Sequence, residues 1–300
     1  MQKELVFIGL GRMGLAMTTH LVEREFIVHG FDVDEDSRQN ASDAGVVKNN
    51  SISEAINNMI GRKIVWLMVP SEFVDGVLNE VLSELKPGDI VIDGGNSFFK
   101  DSIRREAELS KLKLHYIDCG TSGGMEGARH GASIMVGGHK EPVREVTNIF
   151  EALATKDGFA HVGGPGAGHF VKMVHNGIEY GMMGAIAEGL SFVEEQQVDL
   201  SIDIKQVLKP YKNGSIITSN LMGWMADSYK TEGYLNNIAG EVPKGETEFE
   251  MEFIVEEGKT PILSAALKQR KSTRGNPSRI GTLISAMRNQ FGGHKTIKNK

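Results

Sequence analysis

The chain has 300 residues, of which 40% are hydrophobic and 24% charged, with a formal net charge of −6. At about 150 residues per domain, this length and composition predict two globular domains. The negative charge gives no general attraction to nucleic acid or to an anionic membrane. The single cysteine, Cys119, excludes an internal disulfide framework, and no stretch reaches the roughly 18 apolar residues of a membrane span. We therefore expect a cytoplasmic protein without nucleic-acid or membrane partners.

Short apolar runs alternate with helical patterns through the first half of the chain. Strands are predicted at 4–11, 26–32, 63–70, 89–95, 114–120 and 132–138, and helices at 13–24, 74–85 and 101–111. This alternation is typical of βαβ units and of a parallel sheet with helices on both faces. After the glycine-rich segment 161–170 only long helical patterns follow. The predicted fold is an α/β Rossmann-type dinucleotide-binding domain (1–165) followed by a helical domain (166–300).

A strand, a glycine turn and a helix at the start of the chain predict a dinucleotide site. In the pattern G-x-G-x-x-G, Gly9 permits a tight turn, Gly11 lets backbone approach a pyrophosphate, and Gly14 lets the helix pack on the sheet. Asp32 ends the second predicted strand, 18 residues beyond Gly14. Its carboxylate can accept hydrogen bonds from ribose hydroxyls and would repel a 2′-phosphate, so the sequence predicts NAD rather than NADP.

A polar stripe on the helix predicted over 170–181 is the second functional signal. Its members recur at the spacing of one helix face and are Lys172, His175, Asn176, Glu179 and Tyr180. Faces that meet only water are usually richer in Glu, Lys and Gln. Glycine-rich segments at 120–131 and 163–168 allow a ligand to approach the backbone closely. We interpret the stripe as one wall of a binding site.

The chemistry of these side chains suits oxidation of a polyhydroxy acid. Burial can lower the pKa of a lysine, so that Lys172 beside a nicotinamide could remove a hydroxyl proton as hydride leaves. Glu179 could act as an acid in a later step. Partners for substrate hydroxyls and for a carboxylate are offered by His175, Asn176, Ser122 and the backbone of Gly123 and Gly124.

Several motifs resemble those of one enzyme family. They are "GLGRMG" at 9–14, "DGGNS" at 93–97, "GTSGGMEGARHG" at 120–131, "GAGHFVKMVHNGIEYGMM" at 166–183 and "RNQFGGH" at 288–294. In these stretches the chain is similar to the decarboxylating 6-phosphogluconate dehydrogenases, in their short bacterial, NAD-preferring form. The resemblance implies an NAD-binding domain, an all-α second domain, and a homodimer or homotetramer whose subunits exchange their C-terminal tails.

The resemblance also implies a role for each matching residue. Lys172 would be the general base that deprotonates the C3 hydroxyl and then stabilises the oxyanion as CO2 leaves. Glu179 would protonate C1 of the enediol to give ribulose 5-phosphate. The implied cofactor contacts are Gly9, Gly11, Arg12, Met13, Gly14, Asp32, Val69 and Asn96. The implied contacts of the sugar acid and its phosphate are Asn96, Ser122, Gly123, Gly124, His175, Asn176, Tyr180, Arg270, Arg288 and His294, of which the last two would reach the partner subunit's site; no metal is implied.

One segment departs from the family pattern. Short-form relatives have "GEGKW" or "GEGRW", whose cation helps bind the substrate phosphate, whereas this chain has "KGETEF", with Thr247 and Glu248 near the position of the cation. A glutamate facing a phosphate dianion would be repulsive. Either Lys244 replaces the cation, or the phosphate is held less firmly, or the substrate is different. The surrounding acidic stretch 244–257 is predicted to be a helix with a solvated face.

Two other functions are compatible with the sequence. A β-hydroxyacid dehydrogenase for a small unphosphorylated acid would share the Ser-Gly-Gly turn and the spacing of Lys172 and Asn176, although that class typically lacks the "HNGIEY" context. A catalytically silent NAD-binding protein would be expected to have lost Lys172, Asn176 or Glu179, and all three are present. Hydride transfer to NAD would distinguish an enzyme from the silent protein.

Overall fold

The fold is described from a computed structural model, over residues 2–298. The chain divides into two compact units, one ending at Lys172 and the other beginning at Met173. The first is built on a β-sheet and the second on helices, as the sequence predicts. The expected boundary at 165/166 lies in the loop just before the long helix that continues from the first unit into the second.

The first unit contains an eight-stranded sheet with strand order β3-β2-β1-β4-β5-β6-β7-β8. The strands are β1 (Glu4–Ile8), β2 (Ile27–Phe31), β3 (Val47–Lys48), β4 (Ile64–Leu67), β5 (Ile90–Asp93), β6 (His115–Ser122), β7 (Ala132–Gly137) and β8 (Ala154–Gly163). The helices are α1 (Arg12–Glu23), α2 (Glu35–Asp43), α3 (Ile52–Asn58), α4 (Val74–Leu82), α5 (Phe99–Lys111), α6 (Gly124–His130), α7 (Lys140–Glu145) and α8 (Thr147–Leu153). Strands β4 and β5 are buried throughout, which explains why they read as continuous apolar runs rather than alternating patterns.

The sheet differs from the predicted one in three respects, of which the first is the two-residue strand β3, which was not predicted. Strand β7 runs antiparallel to β6, whereas the other neighbouring pairs are parallel. The connection between them, 123–131, is shorter than the dozen or more residues that a parallel crossover needs. The sequence also missed β8, because "ATKDGFAHVG" is mostly half-buried or exposed and contains no apolar run.

The second unit consists of helices around its own apolar core. The long helix α9 (Ala167–Glu195) begins in the first unit, and α10 (Ile204–Lys212), α11 (Asn220–Lys230), α12 (Glu246–Glu257), α13 (Pro261–Ser272) and α14 (Arg279–Gly292) follow. Buried residues recur on α9 every three or four positions, at Met173, Asn176, Tyr180, Met183, Ala187 and Leu190. Within residues 2–298, no helix has the length and apolar character required to cross a membrane.

The acidic stretch forms the predicted helix, α12, but its surroundings differ from the expectation. Glu246, Glu256 and Glu257 are exposed, whereas Glu248 and Glu250 are 1% and 6% exposed. The prediction of a solvated acidic face was therefore wrong for these two residues. They can be buried because each has a partner of opposite charge or a hydrogen-bond donor, as described below.

Candidate active site

The glycine turn after β1 has the shape of a phosphate cradle. Gly9 has φ +99°, and a Cβ there would overlap the carbonyl oxygen of Met68. A Cβ at Gly14 would overlap the carbonyl oxygen of Gly9. At Gly11, which caps the amino end of α1, a Cβ would meet no atom within 4 Å. The protein itself therefore requires glycine at 9 and 14, while the space at Gly11 suits a pyrophosphate beside the helix N-terminus.

Asp32 lies beside this turn at the end of β2. Its Oδ2 accepts a hydrogen bond from the backbone N of Leu10 (2.6 Å), and its Oδ1 accepts one from the backbone N of Asp34 (2.9 Å). These bonds fix the orientation of a half-buried carboxylate next to the glycine turn. Each oxygen has a further lone pair for a ribose hydroxyl, and the negative charge opposes a 2′-phosphate. The turn and Asp32 together fit NAD.

Replacing Asp32 by alanine should narrow the preference for NAD over NADP by about tenfold or more, because the carboxylate that repels the 2′-phosphate is gone. The measurement is kcat/KM for each cofactor. Asp36→Ala is the matched control, since Asp36 is an exposed acid on α2 and its loss changes the net charge equally. An unchanged cofactor ratio in the Asp32 variant would reject its ribose role.

The other segments predicted to bind cofactor and substrate lie at one edge of the sheet. Val69 follows β4, Asn96 follows β5 and Ser122 ends β6, and these strands run parallel to β1. A Cβ at Gly95 would lie 2.9 Å from the carbonyl oxygen of Val69, so these two loops touch. Ligands of open α/β sheets bind outside the carboxyl ends of the strands, which is this edge. Arg12 is exposed and Met13 half-buried at the start of α1.

A buried polar network fixes the loop that contains Asn96. Asp93 Oδ2 accepts hydrogen bonds from Ser97 Oγ (2.7 Å), from the Tyr116 hydroxyl (2.6 Å) and from Arg105 Nη1 (3.2 Å). Burial, and then the charge of Asp93, raise the pKa of Tyr116 well above its usual value. Asp93 and Ser97 flank Asn96, so the network holds the backbone on both sides of it. Local sequence patterns do not indicate this role, although both residues lie in the "DGGNS" motif.

The turn between β6 and α6 requires its glycines. Gly123 and Gly124 have φ +125° and +62°, a conformation that other residues rarely adopt. A Cβ at Gly123 would lie 3.0 Å from the Cα of Gly127. The turn therefore sets Ser122 at the strand end with bare backbone beside it, and its binding of a carboxylate stays a prediction.

Lys172 is positioned by close packing of α9 on the sheet. A Cβ at Gly120 would lie 2.5 Å from the Cβ and 3.1 Å from the Cγ of Lys172, so the lysine stem lies directly on the backbone of β6. Asp118 accepts hydrogen bonds from the backbone N of Gly166 (2.7 Å) and of His169 (2.9 Å), which anchors the amino end of α9. The half-buried Lys172 follows within one helical turn. Local sequence patterns do not indicate this role of Asp118, because Asp118 is far from α9 along the chain.

In the helical unit, α9 carries the next part of the stripe. Asn176 is buried, and its Nδ2 donates a hydrogen bond to Glu250 Oε2 (2.8 Å). His175 Nδ1 lies 3.4 Å from Asn176 Oδ1 and 3.8 Å from Glu179 Oε2. These polar side chains thus interact along α9, and Glu250 of α12 joins them. Glu250 is a residue that the sequence analysis did not select.

Two arginines from other helices converge on Tyr180. The Cζ atoms of Arg270 and Arg288 lie 4.4 Å and 5.9 Å from the centre of its ring. Arg270 Nη2 and Arg288 Nη1 both donate hydrogen bonds to the carbonyl oxygen of Pro243, each at 3.1 Å. Tyr180, Arg270 and Arg288 therefore form one cluster within a single chain. The expected reach of Arg288 into a partner subunit's site stays a prediction.

His294 lies just beyond α14. Its ring packs edge-on against Phe291, with centroids 5.7 Å apart, and its backbone oxygen accepts a hydrogen bond from Asn289 Nδ2 (2.9 Å). These contacts hold His294 against the end of α14 of the same chain. Exchange of C-terminal tails between subunits stays a prediction.

The residue at the expected position of the family's cation is also in this region. Glu248 is buried and forms ion pairs with Arg270 and Arg274. Arg270 Nη1 donates a hydrogen bond to Thr247 Oγ1 (3.1 Å), while Lys244 is exposed. Thus the "KGETEF" segment contributes an acid to the arginine cluster.

The first unit has the architecture of a dinucleotide-binding dehydrogenase domain, and comparison with known proteins agrees. The NAD binding domain of 6-phosphogluconate dehydrogenase matches residues 4–163, and the C-terminal domain of the same enzyme matches residues 168–197. The NAD-dependent, decarboxylating 6-phosphogluconate dehydrogenase of Haloferax volcanii is 36% identical, over 98% of this chain and 99% of its own. YqeC of Bacillus subtilis, which carries the 6-phosphogluconate dehydrogenase name provisionally, is 39% identical over 97% of this chain and 98% of its own.

Solved structures show the same fold. The 6-phosphogluconate dehydrogenase of Plasmodium falciparum has a TM-score of 0.79 at 29% identity, covering 95% of this chain and 63% of that one. The 3-hydroxyisobutyrate dehydrogenase of Mycobacterium tuberculosis has a TM-score of 0.73 at 22% identity, covering 96% of this chain and 100% of that one. The chain belongs to the 6-phosphogluconate dehydrogenase family. It is an oxidoreductase with NAD as its cofactor.

Proposed function

We propose that the protein oxidises 6-phosphogluconate with NAD and decarboxylates the product to ribulose 5-phosphate. The observation that carries the proposal is the convergence of Arg270 and Arg288 on Tyr180, because guanidinium groups bind phosphate oxygens in bidentate pairs. The presence of Lys172, Asn176 and Glu179 on α9 supports catalysis rather than silent NAD binding. The family of the chain and its NAD-dependent relative support the same reaction.

NAD would be held by Gly9, Gly11, Gly14 and Asp32, and when bound it accepts the hydride from C3 of the substrate. Ser122 and the glycine turn would hold the substrate carboxylate, and Asn96, His175 and Asn176 its hydroxyls. The contacts described above fix the turn, the Asn96 loop and the stem of Lys172, so orientation costs little when the substrate binds.

Lys172 would act first as a base and then as a hydrogen-bond donor. Its neutral amine would take the C3 hydroxyl proton while the C3 hydride leaves to the cofactor, and these two losses together give a 3-keto acid. The resulting ammonium donates a hydrogen bond to the C3 oxygen while the bond from C2 to the carboxylate breaks. CO2 leaves, and the electron pair of that bond stays in the enediolate. Protonated Glu179 then gives its proton to the carbon that lost CO2, which yields the ketose.

The first experiment is NAD reduction with 6-phosphogluconate, with CO2 followed in the same sample. One CO2 per NADH, at a KM below about 1 mM, would establish the reaction. NADH without CO2 would favour a non-decarboxylating β-hydroxyacid dehydrogenase, for which the acid at Glu248 is the supporting observation. NADH from gluconate alone would make the substrate an unphosphorylated sugar acid, and binding of NAD without reduction would favour the silent protein.

A homodimer or homotetramer, with exchange of C-terminal tails, and a cytoplasmic location are also part of this proposal. They follow from the family resemblance and from the charge and cysteine content of the chain. Light scattering of the purified protein tests the assembly directly.

A further inference from the structure

The arginine cluster in the helical unit has a defined geometry. Arg270 and Arg288 share the Pro243 carbonyl oxygen as an acceptor and face the same aromatic ring. A Cβ at Gly245 would lie 3.4 Å from Arg288 Nη2 and 3.7 Å from Arg270 Nη2. Both guanidinium groups therefore converge beside Gly245, at the amino end of α12. Two cations and a helix N-terminus at one point favour an anionic ligand.

The Nε donors of the two arginines are incompletely used, and that of Arg270 faces Glu248 in an ion pair. Arg270 Nε and Arg288 Nε are buried, and within residues 2–298 neither makes a hydrogen bond. In the same part of the chain, Arg288 forms no ion pair with an acidic side chain, although it is only 5% exposed. A buried guanidinium without a carboxylate partner is costly until an anion binds. Burial also lowers the pKa of Arg270, although the charge of its partner Glu248 acts in the opposite direction.

Glu248 supplies one negative charge to the cluster from within the protein. Its Oε2 lies 3.4 Å from Arg270 Nε and also contacts Arg274 Nη2. The side chains of Glu248 and Arg270 are both 1% exposed, so water screens their interaction weakly. Three arginines and one carboxylate leave two positive charges for a ligand. An anion bound beside Arg270 must therefore share its donors with Glu248.

We propose that Glu248 is a specificity-determining residue that acts as an internal counter-ion. It competes with a substrate phosphate for Arg270. This competition reduces the discrimination between phosphorylated and unphosphorylated sugar acids. The proposal rests on the proposed function. A phosphate dianion experiences repulsion from Glu248, whereas the neutral hydroxyl at the end of an unphosphorylated sugar acid does not. The same residue thus weakens binding of one substrate class without affecting the other.

The test compares E248Q with wild type on 6-phosphogluconate and on gluconate. We expect the KM for 6-phosphogluconate to fall about fivefold or more in E248Q because the competing charge is removed, and the KM for gluconate to stay unchanged. The matched control is E252Q, since Glu252 lies one turn further along α12 and pairs with Lys271 instead. Equal KM changes for both substrates, or a higher KM for 6-phosphogluconate, would overturn the proposal.

Arg274 provides a second variant in case E248Q does not fold. Its side chain is 33% exposed, and its loss in R274Q would leave Glu248 to pair with Arg270 alone. We therefore expect R274Q to raise the KM for 6-phosphogluconate about threefold or more, without an effect on gluconate. A KM for 6-phosphogluconate that falls or stays constant in R274Q would contradict the role of Glu248.

A binding measurement separates this proposal from the proposed function. Inorganic phosphate should raise the Tm of E248Q more than the Tm of wild type or of E252Q, because binding to the folded state stabilises it. That result without turnover of 6-phosphogluconate would reject the proposed function and keep the counter-ion role of Glu248. Equal Tm shifts in the three proteins would overturn the role of Glu248 whichever sugar acid is oxidised.

Discussion

Lys172→Met is expected to lower kcat by about 10³-fold to 10⁴-fold while leaving the affinity for NAD unchanged. The amine is the proposed base, and methionine has no group that accepts the hydroxyl proton. Methionine keeps an unbranched stem, so the contact with Gly120 and the docking of α9 should persist. The glycine turn and Asp32, which we propose hold NAD, do not involve this side chain. Steady-state rates and a titration with NAD, followed by calorimetry, measure the two effects.

The control for this variant is Lys111→Met, which removes an equal charge at an exposed position near the end of α5. We expect it to retain wild-type rates. A rate near that of wild type in the Lys172 variant would rule out its assignment as the base. Loss of NAD binding together with turnover would instead indicate that Lys172 supports the fold of the cofactor site.

Gly11→Ala should weaken NAD binding by about 100-fold, equivalent to about 2.7 kcal/mol, and leave the stability of the free protein nearly unchanged. The reason is that a Cβ at Gly11 meets no protein atom within 4 Å, and the backbone there (φ −59°, ψ −171°) is open to any residue. The added methyl group would occupy only the space that the cofactor's pyrophosphate needs. Calorimetric titration measures the affinity, and thermal unfolding without NAD measures the stability.

Gly76→Ala is the matched control for this prediction. Gly76 lies inside α4, and a Cβ there also meets no atom within 4 Å. The substitution should raise stability by about 0.5–1 kcal/mol, because alanine favours a helix interior, and should not alter NAD binding. Equal NAD affinity in the Gly11 and Gly76 variants would contradict the proposal that the pyrophosphate lies beside Gly11.

Some features of the site follow from short stretches of sequence. The glycine turn, Asp32 and the stripe on α9 are recognisable because a turn, a strand end and a helix face each have a local spacing rule. The expected strands also form, with ends shifted by a few residues. The antiparallel pairing of β7 with β6 was harder to predict from the sequence, although the short connection between the two strands indicates it.

The residues that hold the site residues in place could not be predicted from local sequence patterns. Asp118 anchors α9 from β6, and Asp93 gathers Ser97, Tyr116 and Arg105 from three segments. Their carboxylates resemble any other acid in the sequence. Their roles come from burial, which makes an unpaired charge too costly and therefore demands partners from wherever the fold brings them.

Glu248 shows most clearly what the sequence determined and what it left to the tertiary structure. The sequence places this acid near the position at which the family resemblance implies a cation, and it leaves open what the acid does. In the structure Glu248 is buried and forms ion pairs with Arg270 and Arg274 of another segment. Glu248 is therefore a buried counter-ion, whereas the sequence predicts a solvated acid. Residue type and local spacing determine which charged and polar side chains the chain contains. The tertiary structure decides which of them form pairs, because the strength of a charge interaction depends on the distance between the charges and on the water around them.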